Sequence, residues 1–122
     1  MITNKIIVLL LMILNSYCVF SQPKMVFRRT QYNFRIVSKD SVSRISFDFF
    51  NNGNDTLEIS KIYTSCHCTK VRLNKMRIAP GEPGNVYVEL KPMNIGRFKE
   101  KIILCIKRSK KPLFLNIKGK VI

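Results

Sequence analysis

Acidic residues, histidine and the motifs of common enzyme active sites are scarce in this sequence. Among its 122 residues are 7 acidic residues and a single histidine. It contains no glycine-rich phosphate-binding loop, no pair of carboxylates at a catalytic spacing and no Ser/His/Asp arrangement. We therefore predict a protein that is not an enzyme and that needs no cofactor.

Cysteine is also scarce. The chain has four cysteines, and one of them, Cys18, lies in the leader segment described below. The three others, Cys66, Cys68 and Cys105, allow at most one internal disulfide. A scaffold held together by several disulfides is therefore excluded, and the hydrophobic core must supply most of the stability.

The first 21 residues have the layout of a secretory signal peptide. Lys5 supplies a positive charge, and residues 6–14 form an unbroken apolar run. A polar break follows, and Val19 and Ser21 are the small residues before a predicted cut at Gln22. The run is too short for a membrane span, which takes about 20 apolar residues.

Cleavage at this point leaves one predicted domain, residues 22–122. A lipoprotein cleavage before Cys18 is the less favoured alternative, because Asn15 and Tyr17 fit such a site poorly. About 100 residues are enough for one hydrophobic core, and no second long apolar segment follows. We therefore expect an exported protein, either periplasmic or extracellular.

The sequence is strongly basic. It has 22 lysine and arginine residues against 7 acidic ones, a formal net charge of +15, and removal of Lys5 leaves +14 (21 − 7). Such a charge attracts anions. Because an exported protein does not meet intracellular nucleic acid, we expect an unknown protein or an anionic envelope component as the partner. The alternative is that the basic segments are solvated turns. The candidate anion-binding residues are Arg97, Lys99, Lys101, Lys107, Arg108, Lys110 and Lys111.

Alternating apolar residues and regularly spaced turns predict an all-β domain. The clearest segments are residues 45–49, 86–90 and 102–106, in which every second residue is apolar. Residues 91–100 are predicted to form a loop, and residues 107–112 a basic hairpin tip. About seven strands, with no helix after the leader, predict a single Ig-like antiparallel β-sandwich.

The alternation changes parity in the middle of the chain. Ile59 ends one set of apolar positions, whereas Ile62 and the two cysteines Cys66 and Cys68 fall on the opposite set. We expect either a β-bulge just after Ile59 or a crossing from one sheet to the other. If the strand continues through this segment, both cysteines point inward and His67 points outward.

The ordered motifs of the chain resemble a known bacterial family. The motifs are F-x-F-x-N-x-G, L-x-I, C-x-C-T, I-A-P-G and I-x-G-x-V. In these motifs the chain resembles domain-of-unknown-function family fifteen-seventy-three. Members of that family usually have glycine at the position of His67. The resemblance implies an exported protein, common in the Bacteroidetes, with an Ig-like domain of the ASH and major-sperm-protein type and no assigned reaction. The matching residues are Phe47, Phe49, Asn51, Gly53, Leu57, Ile59, Cys66, Cys68, Thr69, Ile78, Ala79, Pro80, Gly81, Ile117, Gly119 and Val121.

A disulfide is one interpretation of the segment Cys66-His67-Cys68. Residues two apart on a strand lie about 6.6 Å apart, at the outer limit for a disulfide, so closure needs a sharp bend. Glycine between the cysteines makes such a bend easy, and histidine does not. A bond from either cysteine to Cys105 is opposed by the outward position predicted for Cys105.

Metal binding, nucleophilic catalysis and simple burial are the other interpretations. Two thiolates suit Cu(I) or Zn(II), but structural zinc takes four ligands, and the sequence offers no further cysteine pair or histidine. A Cys–His dyad needs the imidazole within hydrogen-bonding reach of the thiolate, which strand geometry opposes. We therefore favour two free thiols that pack as small hydrophobes. The alternative function is thiol-redox chemistry or Cu(I) or Zn handling by Cys66, Cys68, His67 and Cys105.

Overall fold

The computed structural model describes residues 2–16 and 24–122. A helix, α1 (Ile2–Ser16), contains the apolar run of the predicted signal peptide. The predicted cut at Gln22 and the alternative lipoprotein residue Cys18 lie outside the described residues. Within those residues, no helix has both the length and the apolar character needed to span a membrane.

Residues 24–122 form two β-sheets that enclose one hydrophobic core. The strands are β1 (Met25–Phe27), β2 (Gln31–Val37), β3 (Ser43–Asn51), β4 (Leu57–Thr64), β5 (Thr69–Leu73), β6 (Arg77–Ile78), β7 (Pro83–Leu90), β8 (Gly96–Ile106) and β9 (Leu113–Val121). The four-stranded sheet has the order β1-β3-β7-β5, and the five-stranded sheet has the order β2-β9-β8-β4-β6. The β-sandwich predicted from the sequence is therefore confirmed.

The strand count and one pairing differ from the prediction of about seven antiparallel strands. Nine strands are present in residues 24–122. Two of them, β1 and β6, have only three and two residues, too few to show an alternating pattern. β2 pairs with β9 in parallel, so the five-stranded sheet is mixed. Because this pairing joins the two ends of the domain, no local pattern indicates it.

The core lies between the facing sides of the two sheets. Phe47 and Val88 from the four-stranded sheet, and Ile102 and Leu115 from the five-stranded sheet, are each at most 1% exposed. The alternation predicted for residues 45–49 of β3, 86–90 of β7 and 102–106 of β8 is confirmed, because every second residue of these segments is buried or half-buried. Apolar burial thus stabilises the domain, as the scarcity of cysteine requires.

Two β-bulges change the parity of strands. The register of β4 against β8 shifts just after Ile59, and β4 stays in one sheet, so the bulge is the correct one of the two alternatives. The second bulge was not predicted. β2 shifts against β9 between Asn33 and Ile36, where Arg35 has a φ of 64°. As a result Ile36 is 66% exposed, whereas Val37 is buried.

A buried asparagine joins the turn after β3 to the strand β6. The Asn51 side chain is fully buried. Its Nδ2 donates to the carbonyl oxygens of Asp55 (2.8 Å) and Ile78 (2.9 Å), and its Oδ1 accepts from the N–H of Gly53 (2.9 Å). Because the amide itself is buried, its polar atoms need these three backbone partners. The N-x-G part of the first motif therefore has a structural role.

Candidate anion-binding face and cysteine turn

The predicted anion-binding residues fall into two separate groups. The prediction of a loop over residues 91–100 was wrong in its second half, because β8 begins at Gly96. Arg97, Lys99 and Lys101 lie on outward positions of this strand. The other four lie in the hairpin after β8, and six residues, or roughly 20 Å of strand, separate Lys101 from Lys107, the nearest members of the two groups. The seven residues do not form one site.

The first group continues onto β9, where like charges face each other. Lys99 lies directly opposite Lys118, and Arg97 lies directly opposite Lys120. Like charges at directly opposed positions destabilise a sheet. With Arg35 of β2 these cations form a patch, termed the basic face, that consists of Arg35, Arg97, Lys99, Lys101, Lys118 and Lys120.

Two adjoining grooves lie over the basic face. Their volumes are about 580 Å³ and 680 Å³, and both are lined by Asn33, Lys99 and Lys118. Arg35 and Lys120 line the second groove. No carboxylate lines either groove. Their charged lining residues are all cations, beside neutral polar residues such as Asn33 and apolar residues such as Phe98, so the grooves suit an anion.

Ion pairs within residues 24–122 lie elsewhere. They are Arg44–Glu89 (3.8 Å), Lys75–Glu82 (2.7 Å) and Lys107–Glu58 (3.5 Å). One cation of the hairpin group is therefore partly compensated, whereas the described part of the chain provides no acidic partner for the basic face.

Exposed aromatic residues border the basic face on the same side of the sheet. Phe114 and Tyr63 are 48% and 50% exposed, and Ile103 lies between them in the register. The Nζ of Lys101 lies 6.0 Å from the centre of the Phe114 ring. The outer side of the five-stranded sheet thus carries an apolar strip next to a cationic one.

Sequence reasoning missed three members of the basic face. Lys118 and Lys120 alternate with the buried Ile117 and Val121, so the parity of the last strand was a signal that placed them outward. Arg35 had no such signal, because its position depends on the parallel pairing of β2 and on the second bulge.

The substitution Lys118→Glu tests whether the like-charge pair is costly. It replaces a repulsive cross-strand pair with an attractive one, so we expect the free energy of unfolding to rise by about 0.5 kcal/mol. Urea denaturation of the two proteins measures this difference. Lys110→Glu, at an exposed position of the hairpin after β8 that pairs with no strand, is the matched control. An unchanged or lower stability for Lys118→Glu alone would show that the pair does not repel.

The two neighbouring cysteines lie in a turn that crosses between the sheets. Residues 65–68 connect β4 in the five-stranded sheet to β5 in the four-stranded sheet. Cys66 and Cys68 form a disulfide, with their Cα atoms 5.2 Å apart. The favoured prediction of two free buried thiols therefore disagrees with the structure. Its premise was an extended strand through both cysteines, and the turn brings them closer than such a strand allows.

Hydrogen bonds from neighbouring residues hold this turn. The carbonyl oxygen of Cys66 accepts from Thr64 Oγ1 (3.1 Å) and from the N–H of Thr69 (3.3 Å). The N–H of Cys68 donates to Cys66 Sγ (3.1 Å), and the carbonyl oxygen of Cys68 accepts from the N–H of Lys91 (2.9 Å). These contacts bend the backbone without a glycine between the cysteines.

His67 and Cys105 were also candidate site residues. His67 is exposed, as predicted. Cys105 is a half-buried free thiol on an outward position of β8, opposite Lys61. The structure therefore does not join Cys105 to Cys66 or Cys68.

Glu100 is the side chain at this turn that sequence reasoning missed. One of its carboxylate oxygens and the Sγ atoms of Cys66 and Cys68 all lie within 4.8 Å of one another. The Oγ of Ser65 donates a hydrogen bond to this carboxylate and accepts one from the N–H of Lys101 (2.9 Å). Residues 65 and 100 are far apart in sequence and meet only because β4 pairs with β8.

The two sheets define an Ig-like β-sandwich, and solved structures share this fold. A protein of unknown function from Porphyromonas gingivalis W83 has a TM-score of 0.69 and 10% identity, over 80% of this chain and 46% of that chain. The ASH/PapD-like domain 7 of human CEP192 has a TM-score of 0.59 and 11% identity, over 81% and 85%. The VesB protease of Vibrio cholerae has a TM-score of 0.62 and 17% identity, over 81% and 32%. This chain spans less than half of the first protein and about a third of the protease, and such identities show the fold alone.

The chain belongs to the family described as "Protein of unknown function (DUF1573)", whose model matches residues 25–121. The resemblance inferred from the ordered motifs is thus confirmed. No curated protein matches the sequence.

Proposed function

We propose that this protein is an exported, non-enzymatic binding module whose basic face binds anionic lipid head groups at an envelope surface. The observation that carries the proposal is that like charges occupy directly opposed positions twice, Lys99 opposite Lys118 and Arg97 opposite Lys120. Each costs stability in the free protein. A phosphate placed between the paired cations replaces their repulsion with attraction.

The aromatic border favours a lipid surface over a soluble polyanion. Phe114 and Tyr63 expose ring surface next to the cations. Aromatic side chains suit a membrane–water boundary, where one end of the ring is in an apolar medium and the other is hydrated. A soluble polyanion satisfies the charges of the basic face but leaves this apolar strip in water.

Co-sedimentation with lipid vesicles tests the proposal. We expect vesicles of phosphatidylcholine and phosphatidylglycerol to retain the exported protein, and vesicles of pure phosphatidylcholine not to retain it. Retention should weaken as the salt concentration rises from about 0.01 M to about 1 M, because the screening length falls from about 30 Å to about 3 Å. Equal retention on both vesicles would contradict the proposal. If the protein binds a sulfated polysaccharide but not the vesicles, the basic face is a site for soluble polyanions instead.

Thiol–disulfide exchange, with or without metal handling, is the second candidate function. It is supported by the disulfide between Cys66 and Cys68, which lies in a turn beside the exposed His67. A thiol titration of the exported chain, with and without denaturant and with metal analysis, tests it. We expect one thiol, Cys105, before treatment with a dithiol and three thiols afterwards. If the thiols of Cys66 and Cys68 are detected only in denaturant, thiol–disulfide exchange in the folded protein would be contradicted.

A further inference from the structure

The cysteine turn brings three metal-ligating side chains together. The Sγ atoms of Cys66 and Cys68 and a carboxylate oxygen of Glu100 lie within 4.8 Å of one another. Zinc binds thiolates at about 2.3 Å and carboxylate oxygens at about 2.0–2.2 Å, so tetrahedral ligand atoms lie roughly 3.5–3.8 Å apart. On reduction the two sulfur atoms must move apart to this distance, and the carboxylate oxygen already lies within 4.8 Å of both.

We propose that reduction of the Cys66–Cys68 disulfide creates a zinc site whose ligands are the two thiolates and Glu100; this rests on the second candidate function. A dithiol reductant supplies two electrons and two protons and becomes a disulfide, while the Cys66–Cys68 bond breaks into two thiols. Binding of Zn²⁺ then forms two Zn–S bonds and one Zn–O bond and releases the two thiol protons to solvent. The oxidised turn offers no thiolate, so the redox state of the turn decides whether metal binds.

Ser65 holds the third ligand in place before any metal arrives. Its Oγ donates to the Glu100 carboxylate, and its own backbone N–H donates to the carbonyl oxygen of Lys101 (3.1 Å). The N–H of Lys101 donates in return to Ser65 Oγ (2.9 Å). Side chains that orient a ligand in this way raise metal affinity. We therefore assign Ser65 as a positioning residue.

The chemistry of the ligand set selects zinc and excludes His67 from it. Cu(I) prefers soft sulfur ligands, whereas zinc also accepts a carboxylate. His67 is exposed and lies outside the Cys66, Cys68 and Glu100 cluster. Three protein ligands leave a fourth position, which water or a group from a partner can fill. This is a different ligand set from the Cys-His-Cys site that the sequence suggests.

Titration with Co²⁺, a spectroscopic substitute for zinc, tests the site in the full exported chain. The protein is reduced while folded, freed of reductant without oxygen, and compared with the oxidised protein. We expect thiolate-to-cobalt charge-transfer absorption in the reduced protein alone, and its loss when Zn²⁺ is added. Glu100→Gln and Ser65→Ala should each weaken Co²⁺ binding by about tenfold or more. His67→Ala and Glu89→Gln, whose side chains lie outside the cluster, should match the wild type.

The outcomes separate this inference from the function on which it rests. A reduced, folded protein without the cobalt–thiolate absorption would overturn the zinc site and leave thiol exchange intact. Wild-type affinity in Glu100→Gln, or loss of binding in His67→Ala, would overturn the ligand set. If the disulfide resists reduction in the folded protein, the exchange function fails. The zinc site is then tested in protein that has been folded under reducing conditions. Absence of the cobalt–thiolate absorption in that protein would overturn the site.

Discussion

Reversal of three charges of the basic face should abolish retention on anionic vesicles. The variant carries Arg97→Glu, Lys99→Glu and Lys101→Glu, which turns both like-charge pairs into opposite-charge pairs with Lys120 and Lys118. Each cation near an anionic membrane contributes about 1 kcal/mol, so loss of three lowers the affinity by at least about 100-fold. Vesicle co-sedimentation across lipid concentrations measures the effect.

A variant of the hairpin tip is the matched control for this experiment. Arg108→Glu, Lys110→Glu and Lys111→Glu change the net charge by the same amount, but at the far end of β8. We expect less than about a tenfold loss of affinity, because these residues attract the membrane only at long range. Equal losses in the two variants would mean that net charge alone drives retention. A larger loss in the hairpin variant would move the site to the tip.

Replacement of Asn51 should strongly destabilise the domain. In Asn51→Ala, the carbonyl oxygens of Asp55 and Ile78 and the N–H of Gly53 lose their partner. An unsatisfied buried polar group costs about 1–3 kcal/mol, and we expect a loss of about 3 kcal/mol in total. Urea denaturation, followed by far-UV circular dichroism, gives the free energy of unfolding.

The neighbouring Asn52 supplies the control for this substitution. Its side chain is exposed, and its backbone N–H, which donates to the carbonyl oxygen of Lys24 (2.8 Å), is kept in Asn52→Ala. We expect a change within about 0.5 kcal/mol. A comparably small effect of Asn51→Ala would show that water replaces the side chain and that the motif serves another purpose.

The β-sandwich was predictable from the sequence because burial of one side of a strand repeats every two residues. Phe47, Val88 and Ile102 follow that repeat and are buried as expected. The start of β8 was hidden by Gly96 and the polar residues around it, which made residues 91–100 resemble a loop, although Glu100 lies on an inward position of the strand. Glu100 is also the residue that meets the cysteine turn. The alternation of apolar residues is thus broken at the candidate site itself, where functional residues can depart from the sequence pattern that folding favours.

The candidate sites were only partly predictable, because each depends on contacts between distant segments. The pairing of β8 with β9 places Lys118 beside Lys99, and the pairing of β2 with β9 brings Arg35 to the same grooves. At the turn, Cys66 and Cys68 form a disulfide, although the alternation of the preceding strand predicts an extended backbone there. The sequence offered a crossing between the sheets only as an alternative near Ile59, and the structure places the crossing at residues 65–68.

Lysine acetylation in the presence of anionic vesicles tests the central claim most directly. The reaction with a soluble acetylating reagent, followed by mass spectrometry, reports which lysines the membrane covers. The account predicts slower acetylation of Lys99, Lys118 and Lys120, with Lys70 on the opposite sheet and Lys110 at the hairpin unchanged. Protection of Lys110 instead, or equal protection of all five lysines, would contradict it.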